Sequence, residues 1–171
     1  SRDWSSDVCS SDLDGNIDDL YGAGMALWQF AKARQPAQAR VRVYTPKRAE
    51  HGWSSKHSVL EIVNDDMPFL VDSITAEIVR RDLGVHLVIH PVIQVRRDAK
   101  GTLQGLGQKG DDGVIAESMM HIELDEVTST DALDALQRGV EAVLAAVRVS
   151  VADWKPVCAK AQDVIDQLEI G

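Results

Sequence analysis

Between positions 58 and 147 the spacing of apolar residues changes period three times, and this alternation restricts the fold more than any short motif. "SVLEIVN" (58–64) is a compact β-branched run that reads as a strand. From Met67 onward, Leu70, Val71, Ile74 and Ile78 recur at helical spacing. "RRDLG" closes that helix, with cations in its last turn and Gly84 as the stop. "VHLVIHPVIQVRR" (85–97) returns to strand character, a long strand interrupted at Pro91, where a proline predicts an edge position or a bulge. "IAESMMHIELD" (115–125) is a further strand. After the start signal "STD" (129–131), Leu133, Leu136, Val140, Val143, Leu144 and Val147 form a second apolar helical stripe.

The flanks extend this core. Ile17, Leu20, Tyr21, Gly24, Leu27, Trp28 and Ala31 predict a helix over 17–33 with those residues on its buried face, ended by Pro36. "ARVRVYTP" (39–46) alternates Val41 and Val43 with Arg40, Arg42 and Tyr44, a short strand with one wet face. "KRAEHGWSSKH" reads as a polar loop, and residues 98–113 as a glycine-rich polar connection. "DWKPVCAKAQDVIDQLEI" adds a separate amphipathic piece at the end. The expected class is α+β, an antiparallel sheet covered on one face by helices, with extra N- and C-terminal helices. The β-α-β-β-α centre is a ferredoxin-like plan that lacks a fourth strand after its second helix. Strand 40–44, paired beside 58–64, would fill that place and make the domain a permuted variant. The organisation expected is an N-terminal helix over 14–38, an α+β domain over 39–150 and a C-terminal helical segment over 151–171.

Residues 1–13, "SRDWSSDVCSSDL", differ in character from the rest of the chain and have no hydrophobic period. They resemble the forward translation of a sequencing adapter and are expected to be an assembly artefact, which makes the chain a fragment. Net charge is −9 over the whole chain. Without residues 1–13 it is 17 bases against 24 acids, or −7. Such a balance argues against nucleic acid or an anionic membrane as partner, and no apolar run reaches the ~20 residues of a membrane span. Leaving out Cys9, one cysteine remains, Cys158, which suits a reducing cytoplasm and reads as a buried spectator.

Most candidate chemistry fails on context. "GLGQKG" (105–110) matches G-x-G-x-x-G, but no strand feeds it and no helix follows, so a hairpin linker is expected. His86 and His90 on one strand face lie ~13 Å apart, too far to share a metal, and are expected to face solvent or a partner. His121 and Glu123 are expected to pair at the surface. No catalytic, cofactor-binding or metal-ligand set assembles. The exception is "NDDMPFL" (64–70), between a strand and a helix. Asp65 or Asp66 suits a helix cap, with Pro68 tolerated in the first turn. Asn64 and the second acid exceed what a cap needs. Asn64, Asp65, Asp66, Met67 and Pro68 therefore stand as cap or ligand-loop candidates, with metal or catalytic use a third alternative. Phe69 lies off the apolar stripe and is expected to contact another domain or subunit.

The run "VLEIVNDDMPFLVDSITAEIVRRDLGVHLVIHPVIQVRRD", with "LYGAGMALWQFA", "RVRVYTP", "EHGWSS" and "AESMMHIELD" in order, resembles the N-terminal region of the large bacterial NAD-specific glutamate dehydrogenases. The resemblance covers nearly all of residues 14–171. It implies an ACT-type, ferredoxin-like regulatory module in a parent enzyme that oxidises L-glutamate to 2-oxoglutarate and ammonia with NAD. It also implies that catalytic and NAD-binding residues lie elsewhere in the parent, whose other domains are partners, together with a homo-oligomer and a possible amino-acid effector. ACT domains often carry Asp-x-Pro-Gly here; Asp66-Met67-Pro68 matches, and Phe69 stands in place of the glycine. That substitution favours an assembly role over sensing, with a stand-alone amino-acid-binding module as the alternative.

Overall fold

The computed structural model describes residues 17–169, with side chains as far as residue 154. The expectations for residues 1–13 and for Cys158 fall outside the described residues. The elements are α1 (Ile17–Ala31), β1 (Arg40–Tyr44), α2 (Arg48–His51), β2 (Ser58–Asp65), α3 (Leu70–Val79), β3 (Val85–Ile89), β4 (Val92–Arg97), β5 (Leu103–Leu106), β6 (Val114–Leu124) and α4 (Thr130–Glu169). All strand pairings are antiparallel, in the order β1-β2-β6-β4-β5, with β3 also on β6. This is the ferredoxin-like plan, with β1 in the position that a strand after α4 would otherwise fill.

Strand period explains the layers, because successive residues point to opposite faces. Leu60 and Ile62 of β2 and Met120, Ile122 and Leu124 of β6 face Leu70, Ile74 and Ile78 of α3 and Leu136, Val140, Leu144 and Val147 of α4. The odd-numbered neighbours Val63 and Met119, with Val95 of β4, face Phe30 and Ala31 of α1. The sheet is therefore covered on both faces, which corrects the single covered face expected. It also explains why "SVLEIVN" is buried at every position.

The interruption expected at Pro91 is present: 85–97 forms two strands on the same side of β6, with a break at His90–Pro91 and a register shift between Val85 and Leu87. Three further expectations change. The connection over 98–113 contains β5, pairing back on β4 across a turn. Within the "polar loop", α2 forms and Trp53 is buried, because α1 lies directly on it: a Cβ at Gly22 would stand 2.5 Å from the Trp53 Cβ. The separate C-terminal piece is a continuation of α4, so a boundary at 150/151 falls inside one helix of 40 residues, about 60 Å long.

The stripe on α1 is buried only at its C-terminal end. Ile17 (81% exposed), Leu20 (56%) and Tyr21 (70%) lie bare. They are too closely grouped to count as scattered surface apolar residues. Among the described residues no helix is long and apolar enough to cross a membrane.

Candidate functional site

Asn64 and Asp65 end β2 opposite Ser118 and Glu117 of β6. The register thus sets two carboxylates, Asp65 and Glu117, face to face, which is unfavourable without a cation between them. Arg34, 3% exposed and just past α1, supplies it. Its Nη2 donates to Asp65 Oδ1 (2.6 Å) and Glu117 Oε1 (2.7 Å), and its Nε donates to Glu117 Oε1 (2.9 Å). Arg97 of β4 donates Nε to Glu117 Oε1 (2.6 Å) and Nη2 to Glu117 Oε2 (2.7 Å). Arg148 of α4 donates Nη1 to Asp65 Oδ2 and Nη2 to Asn64 Oδ1, both at 2.6 Å. Burial alone would raise the Asp65 carboxyl, but Arg148 and Arg34 outweigh it and hold the group below the usual carboxylate range.

Gly101 completes the arginine seat. Its backbone sits at φ 81°, its carbonyl accepts from the Arg34 N–H (2.9 Å), and a Cβ there would stand 2.0 Å from the Arg34 carbonyl oxygen. Gly101→Ala is expected to cost about 2 kcal/mol through left-handed strain and backbone displacement. Urea unfolding checks this, and an unchanged midpoint would mean that the turn relaxes freely.

The cap alternative is not what the two acids do. The residue preceding α3 is Phe69, and no side chain caps the helix. Asp65 is in the sheet, and Asp66 accepts a hydrogen bond from Ser118 Oγ (2.9 Å). Pro68 lies in the turn before the helix rather than in its first turn, and Met67 packs on the α3–α4 core. Phe69 is 59% exposed at φ 68°, a left-handed conformation that costs a non-glycine residue about 1 kcal/mol or more. The backbone therefore keeps the shape that a glycine would adopt at this position, while presenting an aromatic ring to solvent. Asn64 is fully buried, and its Nδ2 has no hydrogen-bond partner.

A second polar group lies on the same sheet face. His121, expected at the surface, is 5% exposed, because α1 and Trp53 cover this side. Its Nδ1 is 3.7 Å from Glu61 Oε1 and its Nε2 is 3.7 Å from Glu123 Oε1. Glu61 also accepts from Tyr44 Oη (3.2 Å) and pairs with Arg42. Burial pushes the imidazole down, but the two carboxylates more than reverse this and raise it to about 9. His86 and His90 do not act as a pair. The register shift turns His86 toward Asp125 (2.7 Å) and a stack on His57 (4.1 Å), whereas His90 Nε2 lies 2.9 Å from Ser118 Oγ.

The arginines, Glu117 and the burial of His121 were not anticipated from spacing. One signal was present: Glu61, Glu117 and His121 each interrupt an apolar strand run, and a central strand buries such residues only with partners.

Residues 2–140 match the family described as "Glutamate dehydrogenase, ACT1 domain". The chain is 39% identical over 154 residues to the NAD-specific glutamate dehydrogenase of Pseudomonas aeruginosa. It is 37% identical over 158 residues to that of Halomonas elongata. These similarities cover 89% and 91% of this chain but 10% of the length of each relative.

Proposed function

The chain belongs to the family of glutamate dehydrogenase ACT1 domains, and from that premise we propose that it is a non-catalytic regulatory or assembly domain of a cytoplasmic NAD-dependent glutamate dehydrogenase. The parent reaction converts L-glutamate, NAD and water to 2-oxoglutarate, ammonia and NADH. NAD is the parent's cofactor, and the parent's other domains and further copies of the chain are the partners. The observation that carries the assembly role is the bare stripe Ile17, Leu20 and Tyr21 on a helix whose other end is anchored in the core. Phe69 supplies a second exposed anchor, held at a conformational cost that folding alone does not explain.

Two measurements test this. The 171-residue chain, mixed with L-glutamate and NAD, is expected to give no rise in NADH absorbance. Turnover by this piece alone would overturn the non-catalytic assignment. In the parent enzyme, Leu20→Glu with Tyr21→Glu is expected to lower the oligomer mass or loosen its domains in light scattering while leaving the isolated chain's melting temperature unchanged. An unaltered assembly would overturn the role of α1.

One observation favours amino-acid sensing as a second reading. The unpartnered Nδ2 of Asn64 is a buried donor in the strand that precedes α3, whose start no side chain caps, and both supply donors to a carboxylate. Titration calorimetry with L-amino acids decides it: heat that disappears in Asn64→Leu and Asp66→Ala supports sensing, and no heat leaves the assembly role alone.

A further inference from the structure

Asp65 occupies the last position of β2. Its two carboxylate oxygens serve opposite layers. Oδ2 takes Arg148 from α4, on one face, and Oδ1 takes Arg34, at the end of α1 on the other. Both contacts are 2.6 Å and charge-assisted, which makes them among the stronger hydrogen bonds a protein forms. Among the residues whose side chains are described, Arg148 is the last charged tether of α4 on the sheet, and the apolar contacts of this helix with the core reach Val147 and the half-buried Val151. Arg34 in turn fixes the segment that follows α1, where its own N–H bonds to Gly101 O (2.9 Å) and the Leu103 N–H bonds to Lys32 O (2.8 Å). The sheet separates the two helices, so apolar packing gives them no shared surface at this end. The bridge is a direct polar connection between them.

We propose that Arg148–Asp65–Arg34 is a relay through the end of β2, coupling how firmly α4 is held at Arg148 to how firmly the end of α1 is held on the opposite face. The physical reason is orientation. Arg148 on Oδ2 holds the half-exposed Asp65 carboxylate with its Oδ1 on Arg34, and when Arg148 withdraws the carboxylate turns toward solvent and leaves Arg34 to the buried Glu117. The Arg34 fork then has a second arrangement available, turned fully onto Glu117, which shifts the backbone at 32–34 that is bonded to Gly101 and Leu103. Linkage requires the converse as well: loosening Arg34 must loosen α4 by the same factor. This relay rests on the geometry alone and not on the assembly role. It would give a partner docked on α1 a route to α4.

Amide hydrogen exchange on the 171-residue chain tests the relay. Arg148→Met is expected to raise the exchange rates of the Arg34 and Leu103 amides about tenfold, on the far side of the sheet, an effect within the usual range for coupled sites. Glu141→Ala, an exposed change on α4 that touches neither Asn64 nor Asp65, is expected to alter α4 locally and leave those two amides unchanged. Arg34→Lys is expected to raise exchange at residues 147–151 by the same factor, and the double variant to add little beyond either single one. Should Arg34→Lys fail to fold, Asp65→Asn removes the middle of the relay and is expected to produce both effects at once. Exchange that rises only on α4 in Arg148→Met, or that rises at Arg34 and Leu103 equally in Glu141→Ala, would overturn the relay. So would single-site effects that simply add in the double variant.

Discussion

Glu117→Ala is expected to cost about 3–5 kcal/mol of folding stability, the toll of leaving buried cations without their anion. Glu117 is fully buried and accepts four hydrogen bonds from two arginines, Arg34 and Arg97, both of which are almost completely shielded from water. Its own desolvation is offset only by those contacts, and the converse holds for the guanidinium groups. A loss of this size is a large part of the roughly 5–15 kcal/mol that holds a domain together. Replacing the whole set with apolar side chains (Glu117→Leu, Arg34→Met and Arg97→Met together) is expected to be far milder, because no charge is then stranded. Urea unfolding of the single and triple variants separates the two cases. If the single variant loses less than about 1 kcal/mol, water reaches the network and the buried-charge account is wrong.

The second large effect depends on pH. His121 has its folded pKa raised to about 9, against about 6.5 when unfolded. Its contribution is therefore fully present below pH 6.5 and disappears as the pH rises through 9. Over that interval the native state holds a proton that the unfolded state has released, so stability falls by at most about 1.4 kcal/mol per pH unit, or up to about 3 kcal/mol in all. Glu61 and Glu123 face the imidazole from β2 and β6, and Arg42 and Tyr44 face Glu61 from β1. Urea midpoints at pH 6 and pH 9.5 are expected to differ by this amount more in the native chain than in His121→Gln. Equal pH dependence in the two proteins would show that His121 is neutral at pH 7.

How much was legible in advance depended on whether a feature was local. The order of β2, α3, β6 and α4 followed from period, and the pairing of β1 with β2 followed from a missing strand in an otherwise familiar plan. The second covered face was not visible. Ala31 lies on the predicted helical stripe but Phe30 lies off it, and the same stripe includes Ile17, Leu20 and Tyr21, which period alone also assigns to the core. "NDDMPFL" stood out in the sequence, but its acids were read against the adjacent helix, as a cap first. The partners of Asp65, Arg34 and Arg148, lie 31 and 83 residues away, and no spacing rule connects them. His86 and His90 were placed on one face because a one-residue register shift leaves no trace in alternation.

The placement of β1 has a consequence for synthesis. A plan closed by a final strand leaves one side of its central strand unpaired until the last residues emerge, and an open edge of that kind invites intermolecular pairing. Here β1 leaves the ribosome ahead of β2, and the two pair across a short connection, a contact of low sequence separation that forms quickly. Each later strand then finds one edge of β2 already occupied. After β6 comes α4, a helix that covers a face and completes no ladder.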